Sequence, residues 1–142
     1  MTNRILIIGG RGRIGTSVAQ DILTHTDAEI TVAGREPKGS IPPGLSPDRV
    51  QYQALDLADS AALEEAVSSS NLVIHTAGPF HYRDASVLKT CIEAGVNYTD
   101  VSDSRSFTGR ALAYRELAKK AGVTAIVNTG IFPGISNSMV RR

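Results

Sequence analysis

Short apolar runs alternate along this chain with segments in which apolar residues recur every three or four positions. The first run, Ile5 to Ile8, has the length and composition of a buried strand. After it, Ile14, Val18 and Ile22 repeat at a spacing of four, so that one face of a helix would be apolar. These two patterns predict a strand over residues 5–8 and a helix over residues 13–25.

The same two patterns predict five further strands and three further helices. The strands are expected at residues 29–33, 50–55, 71–76, 97–101 and 123–128. The helices are marked by apolar positions within 62–67, 87–92 and 112–121, and Gly95 and Gly122 are expected to end the last two. Four prolines and two glycines make residues 36–48 a predicted loop.

Alternation of helices with apolar strands is typical of a parallel sheet that is covered on both faces. Because crossovers between parallel strands are right-handed, few topologies remain. We therefore predict an α/β fold, a doubly wound parallel Rossmann sheet of strand order 3-2-1-4-5-6 with helices on both faces. Residues 1–130 are expected to form this domain.

Composition excludes several classes of function. The chain has 142 residues and a formal net charge of +1, so no global field attracts nucleic acid or a membrane. A single cysteine rules out an internal disulfide, and no apolar run reaches the roughly 20 residues that span a bilayer. We expect a cytoplasmic protein with a small-molecule substrate, without nucleic acid or membrane partners, and we assign no metal site.

Four glycines lie within seven positions between the first strand and the first helix. Gly10-Arg11-Gly12-Arg13-Ile14-Gly15 has the pattern G-x-G-x-x-G, and Gly9 adds a second register. Such glycines permit a tight turn, close approach of the backbone to a diphosphate, and close contact of helix and strand. The alternative is a turn that is rich in glycine by chance. Because the pattern follows a strand and opens a helix, we predict that residues 10–15 bind a dinucleotide.

The end of the second strand indicates which dinucleotide. NAD-binding domains place an acidic residue there for the ribose 2′-hydroxyl, whereas this chain has Gly34 followed by Arg35. A guanidinium binds a phosphate through two hydrogen bonds, so Arg35 predicts NADP, with Arg11 and Arg13 adding positive charge. Glu36 is the candidate for a 2′-hydroxyl contact, and Pro37 restrains it. The alternative is that the three arginines are solvated surface residues.

Two later segments provide further candidates for cofactor contacts. Asp56 follows the third strand, where its carboxylate could accept from the adenine amino group; the alternative is a helix N-cap within residues 56–60. Ala77, Gly78 and Pro79 follow the fourth strand at the point where a cofactor crosses the sheet. Their small size would let the second ribose and the nicotinamide come close.

At this point the sequence resembles the N-terminal domain of the saccharopine dehydrogenase-like oxidoreductases. The resemblance rests on GGRGRIG, AGR after the second strand, AGPF, CIEAGVNYTDVSD and GIFPGISN, in this order and spacing. It implies an NADP(H)-binding Rossmann domain with contacts at Gly10, Gly12, Gly15, Arg35 and Gly78. It also implies an enzyme that transfers hydride at an amine or imine of an amino acid.

The sequence departs from the family in the segment after the fifth strand. Many relatives have Y-x-D-x-x-G-E, where this chain has Asp103 and Ser104 in the last two positions. Asp103 and the loop residue His81 are weak catalytic candidates, and the catalytic residues stay unassigned. The alternative for Asp103 is a helix N-cap, and for His81 a solvated surface position.

Relatives continue after the sixth strand into a substrate and dimerisation domain. Residues 131–142 are therefore expected to start the connection to such a domain, which would also carry a homodimer interface, and the chain is expected to be a fragment that is inactive alone. A stand-alone nucleotide-sensing module is the alternative function, which the arginine after the second strand disfavours. A short-chain dehydrogenase is excluded as an enzyme because no tyrosine is followed four residues later by lysine.

Overall fold

The computed structural model describes residues 2–130, which form one sheet and five helices. The strands are β1 (Arg4–Ile8), β2 (Glu29–Gly34), β3 (Val50–Ala54), β4 (Leu72–His75), β5 (Asn97–Asp100) and β6 (Ala125–Ile126). The helices are α1 (Arg13–His25), α2 (Ser60–Ser68), α3 (Ser86–Ala94), α4 (Arg105–Leu112) and α5 (Arg115–Ala121), with a 3-10 turn at Phe80–Tyr82.

All strand pairs are parallel, and the strand order is β3-β2-β1-β4-β5-β6. The prediction of a doubly wound Rossmann sheet is therefore confirmed. At the carboxyl end of β1, Ile8 is in register with Ala33 of β2 and with His75 of β4. The loops that follow these three strands consequently leave the sheet side by side at one edge.

The central strand β1 packs against helices through both of its faces. Leu6 and Ile8 belong to an apolar cluster with residues of α2, α3 and α4, and Ile5 and Ile7 belong to a second cluster that includes Ala19 of α1. Successive side chains of a strand point to opposite faces, so a continuous apolar run is what a strand between two helical layers requires.

The fourth predicted helix, over 112–121, corresponds to α5, which starts at Arg115 and ends before Gly122 as predicted. Helix α4 is a separate element that the sequence does not predict, and Ala113 and Tyr114 divide it from α5. Ser104 is the N-cap of α4, and its hydroxyl accepts from the backbone N–H of Phe107 at 3.4 Å. The buried face of α4 consists of only Phe107 and Ala111, which is too short an apolar pattern to define a helix from sequence.

The sixth strand is shorter than the predicted 123–128, since only Ala125 and Ile126 are paired with β5. The predicted connection at residues 131–142 lies outside the residues that the structure describes. Within residues 2–130, every helix is too short or too polar to cross a bilayer.

Candidate functional site

A cleft of about 540 Å³ opens at the carboxyl edge of the sheet, in the size range of small-molecule sites. It is lined by the ends of β1, β2 and β4, by the loops after β3 and β4, and by the start of α3. Five of the predicted cofactor residues line it, namely Gly12, Arg35, Asp56, Ala77 and Gly78.

The glycine turn between β1 and α1 is packed so tightly that side chains would not fit. A Cβ on Gly15 would lie 2.4 Å from the carbonyl oxygen of Gly9, and a Cβ on Gly10 would lie 2.7 Å from Cβ of Val32. Gly9 itself has a φ of +80°, which favours glycine. The predicted residues Gly10 and Gly15 therefore lie behind the cleft lining, where they bring α1 against the strands.

The first turn of α1 offers backbone N–H groups to this edge of the sheet. Its N-cap, Gly12, has no side chain to satisfy them, and the first N–H bonded within the helix is that of Thr16, which donates to the carbonyl of Gly12. Within residues 2–130, the N–H groups of Arg13, Ile14 and Gly15 have no acceptor. Open N–H groups and the helix dipole favour an anion here, so the turn fits a diphosphate.

The end of β2 combines a glycine with two arginines. Arg35 lines the cleft, and no carboxylate within the described residues forms an ion pair with it. Arg11 forms an ion pair with Glu36, and its guanidinium lies 5.7 Å from the ring centroid of Tyr52. A Cβ on Gly34 would lie 3.9 Å from Cδ of Arg11, so the Arg11 side chain lies beside the end of this strand.

Asp56 and the N-cap of α2 are separate residues. Asp59 caps the helix by accepting from the N–H of Ala62 at 3.1 Å. Asp56 lines the cleft, and its Oδ1 accepts from the N–H of Ala58 at 3.0 Å. Of the two alternatives for Asp56, the helix cap is thus taken by a neighbour, and the adenine contact stays a prediction.

The segment after β4 contributes cleft residues that the sequence did not indicate. Thr76 lines the cleft, and its hydroxyl donates to the carbonyl of Ile8 at 2.8 Å. Arg83 also lines it, and its Nε donates to the carbonyl of Ala77 at 3.1 Å. Arg110 of α4 donates to the carbonyl of Arg83 at 2.6 Å. No periodic pattern marks such loop residues, because contacts distant in sequence determine their placement.

Several predicted residues lie outside the cleft lining. Arg13, Ile14 and Pro79 are exposed. His81 is exposed with its ring 3.8 Å from that of Tyr82, and Asp103 is exposed next to the N-cap Ser104. The roles proposed for these residues stay predictions. Among the residues described, no cluster of His, Cys, Asp and Glu side chains could hold a metal ion.

Comparison with known proteins gives one family. Residues 5–126 match the family model described as the saccharopine dehydrogenase NADP binding domain. A human protein named saccharopine dehydrogenase-like oxidoreductase is 33% identical over 76 residues, which cover 53% of this chain and 18% of that protein. The matches span 18% to 32% of the length of the curated relatives.

Solved structures show the same fold. Apo saccharopine dehydrogenase (L-Glu forming) from Saccharomyces cerevisiae superposes with a TM-score of 0.70 at 23% identity, covering 97% of this chain and 29% of that one. A short-chain dehydrogenase/reductase from Veillonella parvula in complex with NADP superposes with a TM-score of 0.63 at 21% identity, covering 89% of this chain and 68% of that one.

Proposed function

This chain belongs to the saccharopine dehydrogenase NADP-binding domain family, and from that premise we propose that it binds NADP(H) in preference to NAD(H). The proposal extends to the role of the whole oxidoreductase, which is hydride transfer at an amine or imine of an amino-acid type substrate. Reduced nicotinamide supplies the hydride when bound. The residues of this chain bind and orient the dinucleotide at the carboxyl edge of the sheet.

The residues at the end of β2 are the main support for the proposed preference for NADP(H). Gly34 stands where a carboxylate would contact a 2′-hydroxyl, and a Cβ there would already lie 3.3 Å from the hydroxyl oxygen of Tyr52. Arg35 lines the cleft next to it. A 2′-phosphate brings a charge of about −1.5 to −2, which a guanidinium binds better than a hydroxyl group does.

Glu36 is the residue that argues against this preference, because its carboxylate would repel a phosphate. Its charge is compensated by the ion pair with Arg11. Tyr52 holds the local backbone, since its hydroxyl lies 2.7 Å from the carbonyl oxygen of Glu36 and 3.0 Å from that of Gly34. A phosphate beside Arg35 would therefore meet one uncompensated positive charge and one neutral pair.

Calorimetric titration of NADP(H) and NAD(H) tests the preference. A bidentate charged contact is worth about 1.5–3 kcal/mol, or roughly ten- to a hundredfold in affinity, and solvent screening places the exposed Arg35 toward the lower value. Arg35→Ala is expected to weaken NADPH about tenfold and to leave NADH unchanged. Arg4→Ala removes the same charge at the opposite edge of the sheet and is expected to change neither affinity.

Two results would contradict the cofactor preference. If wild type binds NADH more tightly than NADPH, the argument from Gly34 and Arg35 fails. If Arg35→Ala weakens both cofactors equally, the phosphate is bound elsewhere, and Arg11→Ala becomes the next variant to measure.

Turnover tests whether this chain alone can carry out the proposed hydride transfer. His81 and Asp103, the two catalytic candidates, lie outside the cleft lining, and the chain spans less than a third of the length of its relatives. We expect the 142-residue chain to bind NADP+ and to produce no NADPH from it with saccharopine as substrate. A rate above that of a protein-free control would show that the chain contains a complete active site.

A further inference from the structure

His75 is a buried histidine that reaches the cleft and has an unsatisfied ring nitrogen. It is the last residue of β4, it is 1% exposed, and it belongs to the cleft lining. Its Nε2 has no hydrogen-bond partner among the described residues. Buried polar atoms are nearly always hydrogen-bonded. A hydrogen-bond partner for this nitrogen is therefore expected from outside the described part of the chain.

A chain of hydrogen bonds determines which ring nitrogen of His75 carries the proton. The Oδ1 of Asp100 accepts from the N–H groups of Ser102 and Asn128, at 3.0 and 2.9 Å. The Tyr98 hydroxyl donates its single hydrogen to Oδ2 of Asp100 at 3.0 Å. The oxygen of Tyr98, 3.3 Å from Nδ1 of His75, is then an acceptor. Nδ1 therefore carries the hydrogen, and Nε2 presents a lone pair.

Burial keeps the imidazole neutral. Burial, reinforced by the positive charge of Arg83, lowers the pKa of His75 to about 4. The ring also packs against Phe80 in an edge-to-face arrangement, with centroids 4.9 Å apart. The ring is thus held in one orientation and one tautomer, and Nε2 is its acceptor nitrogen, unpartnered within residues 2–130.

We propose that Nε2 of His75 accepts a hydrogen bond from an O–H or N–H group of the dinucleotide bound in the cleft. The donors available on a dinucleotide are the ribose hydroxyls, the adenine amino group and the nicotinamide carboxamide. Phosphate oxygens do not fit, because they carry lone pairs where His75 offers another. This inference rests on the proposed function, since it requires that the cleft binds the dinucleotide.

Two substitutions of His75 distinguish the roles of its two ring nitrogens. His75→Asn keeps an amide N–H near the position of Nδ1, where it can donate to Tyr98, and removes the acceptor at Nε2. His75→Gln places an amide oxygen near the position of Nε2 and gives up the contact with Tyr98. Asn is expected to weaken NADPH about 2- to 13-fold, the range of one net hydrogen bond. Gln is expected to retain an affinity close to that of wild type.

The affinities have two outcomes that overturn the inference. Equal NADPH affinity of wild type and His75→Asn would show that Nε2 accepts nothing from the ligand. Equal weakening in both variants would assign the effect to packing. If the wild-type chain binds no NADPH, the proposed function itself is wrong. This result is distinct from the two above, which overturn only the role of His75.

Nitrogen NMR of the wild-type chain gives a readout that does not depend on the variants folding. In the two-bond proton–nitrogen spectrum of the imidazoles, His75 is expected as the Nδ1–H tautomer. Saturating NADPH is expected to shift the Nε2 resonance toward that of a hydrogen-bonded acceptor. A proton on Nε2 in the free protein, or an Nε2 resonance that NADPH does not move, would overturn the inference.

A fragment of the cofactor locates the donor. Titration of 2′,5′-ADP into wild type and His75→Asn repeats the comparison with the adenosine half alone. If the ratio of affinities equals that for NADPH, the donor belongs to the adenosine half. If the ratio is close to one, the donor belongs to the nicotinamide half.

Discussion

Replacement of Gly15 by alanine is the most direct test of how the glycine turn is built. The added Cβ would lie 2.4 Å from the carbonyl oxygen of Gly9, 2.7 Å from Cα of Gly10 and 2.9 Å from Oγ1 of Thr76. Ordinary contacts begin at 3.4 Å, and two of these three atoms are backbone. The start of α1 would therefore have to move away from the turn by about 1 Å, the gap between those distances.

The expected cost is the balance of two effects. Overpacking of this kind destabilises by about 1–3 kcal/mol, whereas replacing glycine by alanine in a helix gains about 0.5–1 kcal/mol. Because the clash is with backbone, we expect Gly15→Ala to lower the free energy of unfolding by about 2 kcal/mol. The displacement also moves the N–H groups of the first turn of α1, so that NADPH affinity is expected to fall as well.

Gly109→Ala is the matched control for this substitution. Gly109 also lies within a helix, α4, and a Cβ there would have nothing within 4 Å. We expect it to raise the free energy of unfolding by about 0.5–1 kcal/mol and to leave NADPH affinity unchanged. Urea unfolding gives the stabilities and calorimetry the affinities. A Gly15→Ala variant as stable as Gly109→Ala would refute the crowding that the structure shows in the turn.

Two further predictions concern buried titratable groups. Since the pKa of His75 falls from 6.5 in the unfolded chain to about 4 in the fold, its contribution to stability is intact above pH 6.5 and is lost as the pH falls toward 4. The free energy of unfolding, measured in urea, should decline by up to about 1.4 kcal/mol per pH unit in that window. If a His75→Gln variant shows the same decline, the pH dependence does not come from His75. Cys91 is fully buried, and burial raises its pKa to about 12, so a thiol reagent should modify it only at the rate of unfolding; rapid modification of native protein would argue against that burial.

The sequence was sufficient for the sheet because each central element carries its own pattern. Ile5 to Ile8 form a continuous apolar run, and α1 has the predicted bounds because its apolar residues repeat at helical spacing. The order of the strands then follows from the handedness of crossovers. For α4 the local signal is weak, since Gly109 within the helix disfavours it and only two buried residues, Phe107 and Ala111, hold it on the core.

The candidate site likewise has features that the local sequence predicts and features that depend on contacts between residues far apart in the chain. The glycine turn and the Gly34-Arg35 pair were predictable, because each is defined by its position relative to a strand end. The pairing of Arg11 with Glu36 joins residues 25 positions apart, and the chain from Asp100 to His75 joins two strands. Contacts of this kind depend on the assembled fold, so no spacing in the sequence indicates them.

The cleft presents two chemistries that respond differently to salt. Positive charge and open N–H groups surround the first turn of α1 and the end of β2, whereas the buried nitrogen of His75 is a neutral acceptor. Exposed charge contacts are screened by salt, while a neutral buried hydrogen bond is not. The factor by which Arg35→Ala weakens NADPH binding should therefore shrink as the salt concentration rises from about 0.05 to about 0.5 M. Over this range the Debye length falls from about 14 Å to about 4 Å. The factor for His75→Asn should stay constant over the same range. If both factors shrink together, His75 acts through the charged part of the cleft, and the separation of the two chemistries is wrong.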